Sequence, residues 1–269
     1  MHIVTKRYSL KTNKKINNIK IALISDIHYA IVYNDNRLSK IYEEIKTNNV
    51  DYICIPGDLI DDLSELNDQT IKNILEWLKK LSSLAPTIIS LGNHDVRNKM
   101  KKYVFNNNWY HKINNIKNVY LLDNNNITIN NINFIGFTPN YKYFEDMEKD
   151  YNLVKDDLKN ICSLSVKNKY NVLLSHSPSY LFKENIFNNI DLIVCGHTHG
   201  GLCPSFIPGT FGLIAPTKYL FPKKVRGYLK NYNTDIIITS GIVKLSRSTK
   251  FLYKLTDIFA MEATIININ

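Results

Sequence analysis

The sequence predicts an α/β protein whose strands run parallel and end at one polar edge, and three observations carry that prediction. Between residues 19 and 91, apolar runs of strand length alternate with stretches whose apolar residues recur at helical spacing. Strands joined through helices pair parallel, because a crossover that long cannot close a hairpin. Five apolar runs are followed at once by histidine, carboxylate or amide side chains. The clusters are Asp26-Ile27-His28, Gly57-Asp58, Gly92-Asn93-His94-Asp95, His176, and Gly196-His197-Thr198-His199-Gly200-Gly201. Ligands of parallel sheets collect beyond the carboxyl ends of the strands, so these clusters predict a single polar site.

Taken in order, residues 6–20 are basic and predict a short strand and a turn, and residues 19–25 predict a buried strand. Leu38, Ile41, Tyr42 and Ile45 recur at helical spacing after Asp35-Asn36, a pair suited to cap the helix start. Residues 52–55 read as the next strand. Ile71, Ile74, Leu75, Leu78 and Leu81 mark a second amphipathic helix with Asn67 or Asp68 as its cap, and residues 87–91 a third strand. A helical stretch around residues 99–113 leads into short β runs at 119–122, 127–129 and 132–137, with Asn130-Asn131 as a tight turn between the last two. A charged helix is predicted near residues 144–164. Residues 170–174 and 192–195 predict strands flanking a helix that begins around Pro178, and residues 236–239 and 260–268 predict closing strands. Residues 204–222, rich in Gly and Pro, predict a long loop of the kind that is functional or disordered.

The 269 residues are enough for one α/β domain that buries roughly three quarters of its unfolded surface. A single domain over residues 1–269 is expected, because the ligand segments from Asp26 to His199 must converge. Cys54, Cys162, Cys195 and Cys203 form no C-x-x-C pair, and Cys54 and Cys195 lie inside apolar runs. That pattern predicts inert thiols in a reducing compartment. No stretch approaches the ~20 continuous apolar residues of a membrane span, and the start carries neither an apolar signal core nor an Arg-Arg pair. A cytoplasmic location is expected, with docking peripheral to a membrane as its extension. The formal net charge of +10 favours anionic partners: a phosphoester substrate, an acidic membrane surface or nucleic acid. A lysine-rich solvated surface is the competing reading. No recognised nucleic-acid module is present.

Asp26 and His28 are two apart and face the same way in an extended segment. Asp58 follows Gly57, whose missing side chain permits close backbone approach, and a single carboxylate can bridge two cations. Asn93 offers a neutral carbonyl oxygen, and His176, His197 and His199 offer imidazoles. Mixed nitrogen and oxygen ligation suits Mn, Fe, Zn or Mg rather than a soft thiolate-bound ion. Two cations about 3.5–4 Å apart clamp the attacking and leaving oxygens of an in-line displacement and lower the pKa of bound water toward about 7. His2 and His111 match no motif and read as surface residues. Asp61 and Asp62 read as orienting groups or as a helix cap.

In order and spacing these segments resemble the calcineurin-like dinuclear metallophosphoesterases, from about Lys20 to near the C-terminus. The resemblance implies a four-layer α/β/β/α sandwich with two central mixed sheets. It implies two divalent metal ions and hydrolysis of a phosphoester by a metal-bridging hydroxide, without a covalent enzyme intermediate. Residue by residue, Asp26, His28 and His199 would hold the first metal and Asn93, His176 and His197 the second, with Asp58 bridging. His94 would donate to the phosphoryl and leaving oxygens, and Asp95 would orient His94 by accepting from its other ring nitrogen. Gly200 and Gly201 are expected to keep the mouth of the site open.

Ser25–His28, Gly57–Asp61, Leu91–Asp95, Gly196–Gly201, Leu213-Ile214-Ala215-Pro216 and Leu220-Phe221-Pro222 further resemble a group of small bacterial phosphodiesterases. That group includes pyrophosphatases of a lipid-A precursor, a UDP-linked diacylglucosamine. The resemblance implies a phosphodiester or pyrophosphate in a lipid or sugar-nucleotide headgroup as substrate. A phosphomonoesterase, a nucleotide phosphodiesterase and a non-catalytic scaffold of the same fold are the alternatives. Phe206, Ile207, Phe211, Leu213, Tyr219 and Phe221 would greet an acyl chain and Lys218, Lys223, Lys224 and Arg226 phosphates. The competing reading packs those aromatics onto the body and leaves those cations solvated.

Overall fold

Successive side chains of a strand point to opposite faces. The central strands here are apolar on both, so each sheet must be covered twice. The computed structural model describes residues 3–29, 36–60, 68–100, 109–145, 148–204, 207–214, 220–242 and 261–269. These residues form two six-stranded sheets. The first has the order β1 (Ile3–Leu10), β12 (Met261–Ile268), β2 (Ile19–Leu23), β3 (Tyr52–Pro56), β4 (Thr87–Ser90), β5 (Val119–Leu121). The second runs β10 (Gly227–Asn231), β11 (Thr234–Ile238), β9 (Leu192–Cys195), β8 (Tyr170–Ser175), β7 (Ile132–Phe137), β6 (Asn125–Ile129). Both are mixed. In the first sheet β12 lies parallel to β1 but antiparallel to β2; in the second, the hairpins β6–β7 and β10–β11 are antiparallel edges of an otherwise parallel sheet.

The alternation of side chains sorts the core into three apolar zones. Ile21, Leu23, Cys54 and Ile88 of the first sheet meet Phe134, Val172, Leu174, Val194 and Ile237 of the second. On the outer face of the first sheet, Ala22, Ile53 and Ile89 pack against α1 (Arg37–Asn48), α2 (Asp68–Leu84) and α4 (Trp109–Asn114) through Ile41, Ile45, Ile74, Leu78 and Ile113. Outside the second sheet, Ile135, Leu173 and Ile193 meet α5 (Tyr141–Glu145) and α6 (Asn152–Cys162) through Tyr143, Val154 and Leu158. The result is the four-layer α/β/β/α sandwich. None of the described helices is long and apolar enough to cross a membrane.

Several elements differ from the sequence reading. Asn36 occupies the cap of α1 but makes no side-chain cap bond; Asp35 and Asn67 lie outside the described residues. Of the helix expected around residues 99–113, residues 101–108 lie outside the described residues; α3 (Asn93–Met100), which starts inside the Gly-Asn-His-Asp cluster, and α4 border them. The charged helix near 144–164 is two shorter ones, α5 and α6. No helix follows Pro178: its own amides make only isolated turns (Leu181 to Pro178 O, Lys183 to Tyr180 O, Ile190 to Phe187 O), and neighbouring side chains also bond its carbonyls. Thr234 Oγ1 donates to Phe187 O and Ile190 O, Asn231 Nδ2 to Leu181 O and Asn171 Nδ2 to Asn189 O. Its apolar residues Tyr180, Leu181, Phe187 and Ile190 are buried all the same. The tight turn at Asn130 is present, with φ of 54°. Strand β10 was not anticipated from the sequence.

Phe134 lies midway between the sheets, its ring 5.0 Å from that of Tyr52. Phe134→Ala is expected to lower the unfolding free energy by roughly 3–5 kcal/mol, read as a shift in the urea midpoint without a change in slope.

Candidate metal centre

The carboxyl ends of β2, β3 and β4 in one sheet and of β8 and β9 in the other open onto the same edge of the sandwich. The backbone leaves β2 and β3 side by side. Asp26 N–H donates to Gly57 O at 3.3 Å and His28 N–H to Asp58 O at 3.0 Å. The two sheets are tied across the site itself. His176 Nδ1 lies 2.8 Å from Pro56 O, and the His197 backbone N–H reaches both carboxylate oxygens of Asp26 at 3.0 Å.

All seven expected ligands are brought together. Nε2 of His176 is the meeting point of one group: Asn93 Oδ1, Asp58 Oδ2 and His197 Nδ1 each lie 3.1 Å from it. The bond from Nδ1 to the Pro56 carbonyl places a proton on Nδ1 and turns the Nε2 lone pair toward that group. A second group is Asp26, His28 and His199, whose donor atoms lie within 4.8 Å of one another. Asp58 Oδ2 is 3.6 Å from His28 Nε2, so this one carboxylate faces both groups. Nδ1 of His199 is buried without a hydrogen-bond partner, 3.8 Å from Asp26 Oδ1. A buried nitrogen left this way costs about 1–3 kcal/mol unless something binds it. The donor set therefore fits two divalent cations: hard oxygens and neutral imidazoles, with no thiolate among them.

The electrostatics agree. Burial opposes the charge on Asp58, but His176, His94 and His28 outweigh it and hold this carboxyl well below the usual range. Burial also opposes the charge on His176, yet the Asp58 carboxylate holds its pKa at about 10. Burial depresses His199 to about 4, which leaves the neutral imidazole that ligation requires.

Five of the seven ligand residues stand in the left-handed backbone region: Asp26, His28, Asp58, His197 and His199, with φ between 43° and 67°. Such conformations cost a non-glycine residue on the order of 1–3 kcal/mol each and persist where the surroundings over-determine them. The neighbouring glycines supply the space. A Cβ on Gly92 would stand 2.2 Å from Asp58 Oδ1, and one on Gly196 would stand 2.5 Å from Asp26 Oδ2.

Helix α3 starts at this centre. His94 N–H, in its first turn, donates to Asp58 Oδ1 at 3.0 Å, and the ring of His94 meets that of His28 edge-on at 4.8 Å. Asp95 differs from its expected part. Its carboxylate accepts the backbone N–H groups of Leu59, Ile60 and Gly92 at 3.0–3.2 Å, closing the helix start and pinning the Asp58 loop to it. Burial and the Asp58 charge raise its pKa to about 6 against these three donors.

Two other expectations are corrected. Gly200 and Gly201 do not hold the mouth open. Both are buried at positive φ, and their absent side chains admit Ser240 and the backbone of Gly212, so they pack the following loop tightly. Arg226 is buried and unavailable to a phosphate, since its guanidinium donates to the carbonyls of Cys203, Pro204, Ile207 and Gly209. His111 is exposed, as expected. His2, Asp61, Asp62, Phe206, Lys218 and Tyr219 lie outside the described residues.

Sequence reading missed two contributors. Glu148 contacts Nε2 of His197, and Gly241 packs on Asp26 at the end of β11. Nothing in the charged stretch around Glu148 marks it out, whereas Ser240-Gly241 follows a strand as the other clusters do.

The family model described as calcineurin-like phosphoesterase matches residues 19–201. An uncharacterized metallophosphoesterase of Helicobacter pylori is 28% identical over 189 residues, which is 68% of this chain and 45% of that protein. One from Campylobacter jejuni is 27% identical over 218 residues, covering 75% and 52%. The chain thus spans about half the length of these curated relatives. Among solved structures, a dimetal phosphatase from Danio rerio superposes with a TM-score of 0.45 at 11% identity, over 83% of this chain and 87% of that one.

Metal-stripped protein reloaded with Mn²⁺ or Zn²⁺ is expected to retain two ions per chain after desalting, measured by elemental analysis. Asp58→Ala should retain at most one. Two ions in that variant would show that the carboxylate is not shared.

Proposed function

The chain belongs to the calcineurin-like phosphoesterase family, and from that premise we propose that it hydrolyses a phosphodiester or pyrophosphate bond in a lipid or sugar-nucleotide headgroup. The observation that carries the hydrolytic reading is the Asp58 carboxylate facing two separate donor groups. Asp26, His28 and His199 would hold one divalent cation, and Asn93, His176 and His197 the other. When bound, such a pair offsets charge on phosphoryl oxygens and acidifies water at neutral pH.

The rest falls to the chain. His94 joins Asp58 and His28 in a third group of clustered donor atoms, and unlike those two it is only half-buried. It is therefore the member that an entering substrate meets. Its imidazole can donate to a phosphoryl oxygen and protonate the departing one. Its backbone N–H on Asp58 fixes the start of α3, and Asp95 fixes that helix to the loop carrying Asp58. Asp95 acts as a brace for His94 through the backbone.

The lipid part of the reading is supported by a finger beside the centre. Gly212 N–H donates to Pro222 O, Phe221 N–H to Leu213 O, and Ile214 bridges Leu220, so residues 212–214 and 220–222 pair as two short arms. The base is tied to the ligand loop, because Leu213 and Ile214 both donate to Gly201 O. Leu220 and Phe221 are 68% and 70% exposed, with Leu213 and Ile214 at 38% and 42%. Exposed Lys223 and Lys224 follow. Clustered apolar side chains in water mark an interaction surface, and adjoining lysines suit an anionic headgroup or an acidic membrane surface.

The first test is hydrolysis of a bis-aryl phosphodiester against an aryl phosphomonoester by metal-stripped protein resupplied with Mn²⁺, Zn²⁺ or Mg²⁺. Metal-dependent preference for the diester is expected. Preference for the monoester would make the protein a phosphatase, and no turnover in protein holding two ions would point to a scaffold. His94→Ala should keep both ions and lose roughly 10²–10⁴-fold in kcat; loss of the ions would reassign His94 as a ligand. Leu220→Asp with Phe221→Asp should leave the soluble diester untouched and slow cleavage of a phosphodiester lipid in vesicles by tenfold or more. Equal rates on the vesicles would remove the finger from the substrate reading.

A further inference from the structure

A histidine ligates through one ring nitrogen, and the partner of the other nitrogen decides which one is free. His176 has its partner in the Pro56 carbonyl. For His197 the corresponding group comes from a part of the chain that carries no ligand. Nδ1 of His197 faces the centre, 3.1 Å from His176 Nε2, while Nε2 on the far side of the ring is in contact with Oε1 of Glu148.

Glu148 is held there from several directions. Its side chain is 4% exposed, and its second oxygen accepts from Ser177 Oγ at 2.8 Å, one residue beyond the ligand His176. Its backbone N–H donates to Tyr143 O at 2.9 Å, and Tyr143 Oη donates back to Glu148 O at 3.1 Å. Tyr143 Oη and Ser177 Oγ each lie 2.8 Å from Ser179 Oγ, which joins the two supports. Glu148 itself has a φ of 61°. Phe144, from the same segment, lays its ring 5.9 Å from that of His197 and 6.5 Å from that of His176.

We propose that Glu148 is the positioning residue for His197: by accepting a hydrogen bond from Nε2–H it keeps that proton on Nε2 and leaves the Nδ1 lone pair facing the group formed with Asn93, His176 and Asp58. Tyr143, Phe144 and Glu148 then cover the outer side of this second donor group. The inference rests on the two-metal reading of the site.

Metal-stripped protein titrated with Zn²⁺ alone tests it, together with the ¹⁵N ring signals of histidine-labelled protein. Wild-type chain should take up two ions, with His197 protonated at Nε2. Glu148→Gln, which keeps the shape, should bind one ion as before and the other about 10–100-fold more weakly, and its Nε2 proton should exchange faster. Ser177→Ala, which touches neither imidazole, should weaken the same ion by a smaller factor. Wild-type affinity for both ions in Glu148→Gln with an unchanged Nε2 proton would overturn the proposal and make Glu148 a structural tie. Equal weakening of both ions would overturn it too. A wild-type chain that binds no Zn²⁺ would instead remove the two-metal reading on which it stands.

Discussion

The edge of this sandwich is organised around one buried carboxylate. Asp58 is almost wholly withdrawn from solvent, and its charge is balanced by the imidazoles around it and by the His94 amide in the first turn of α3. Such a group is costly to bury unless it is paired and hydrogen-bonded. The pairing here reaches into both sheets, because His28 and His94 come from the first and His176 from the second. The packing of the sheets and the geometry of the centre are therefore one problem. Phe134 and Tyr52 pack between the sheets with the apolar residues around them, and His176 of the second sheet reaches Pro56 and Asp58 of the first.

Holding the donors close together costs backbone conformation. The left-handed turns at Asp26, His28, Asp58, His197 and His199 lie one after another along the strand ends. Glycines make this feasible by absence of bulk: Gly92 and Gly196 leave space that the carboxylates of Asp58 and Asp26 occupy. Strain of this kind collects at functional centres, where the surrounding contacts over-determine it. The same logic explains Asp95. Three amides on one carboxylate lock the Asp58 loop to α3, so the two segments cannot drift apart independently.

Around this rigid floor the walls come from less regular pieces. Arg226, buried, donates to the carbonyls of Cys203, Pro204, Ile207 and Gly209 and so fixes the root of the apolar finger. On the other side Tyr143, Phe144 and Glu148 close over His197 and His176. One wall is greasy and basic and the other carries a buried acid.

The sequence by itself determined the floor. Strand runs such as residues 52–56 and 192–195 are apolar on both faces and end abruptly in Asp, Asn or His, and a parallel sheet can put such ends only at one edge. All seven candidate ligands and His94 were legible for that reason. Tertiary structure alone decided what depends on partners far apart in the chain. Asp95 turned to backbone amides at Leu59 and Ile60 because its loop and theirs are neighbours only in the fold. The segment after Pro178 forms isolated turns whose carbonyls are shared with side chains from β8, β10 and β11. Arg226 became a clamp and Glu148 a partner of His197 by the same route. In each case a polar group had more than one way to be satisfied, and burial beside a distant segment selected among them.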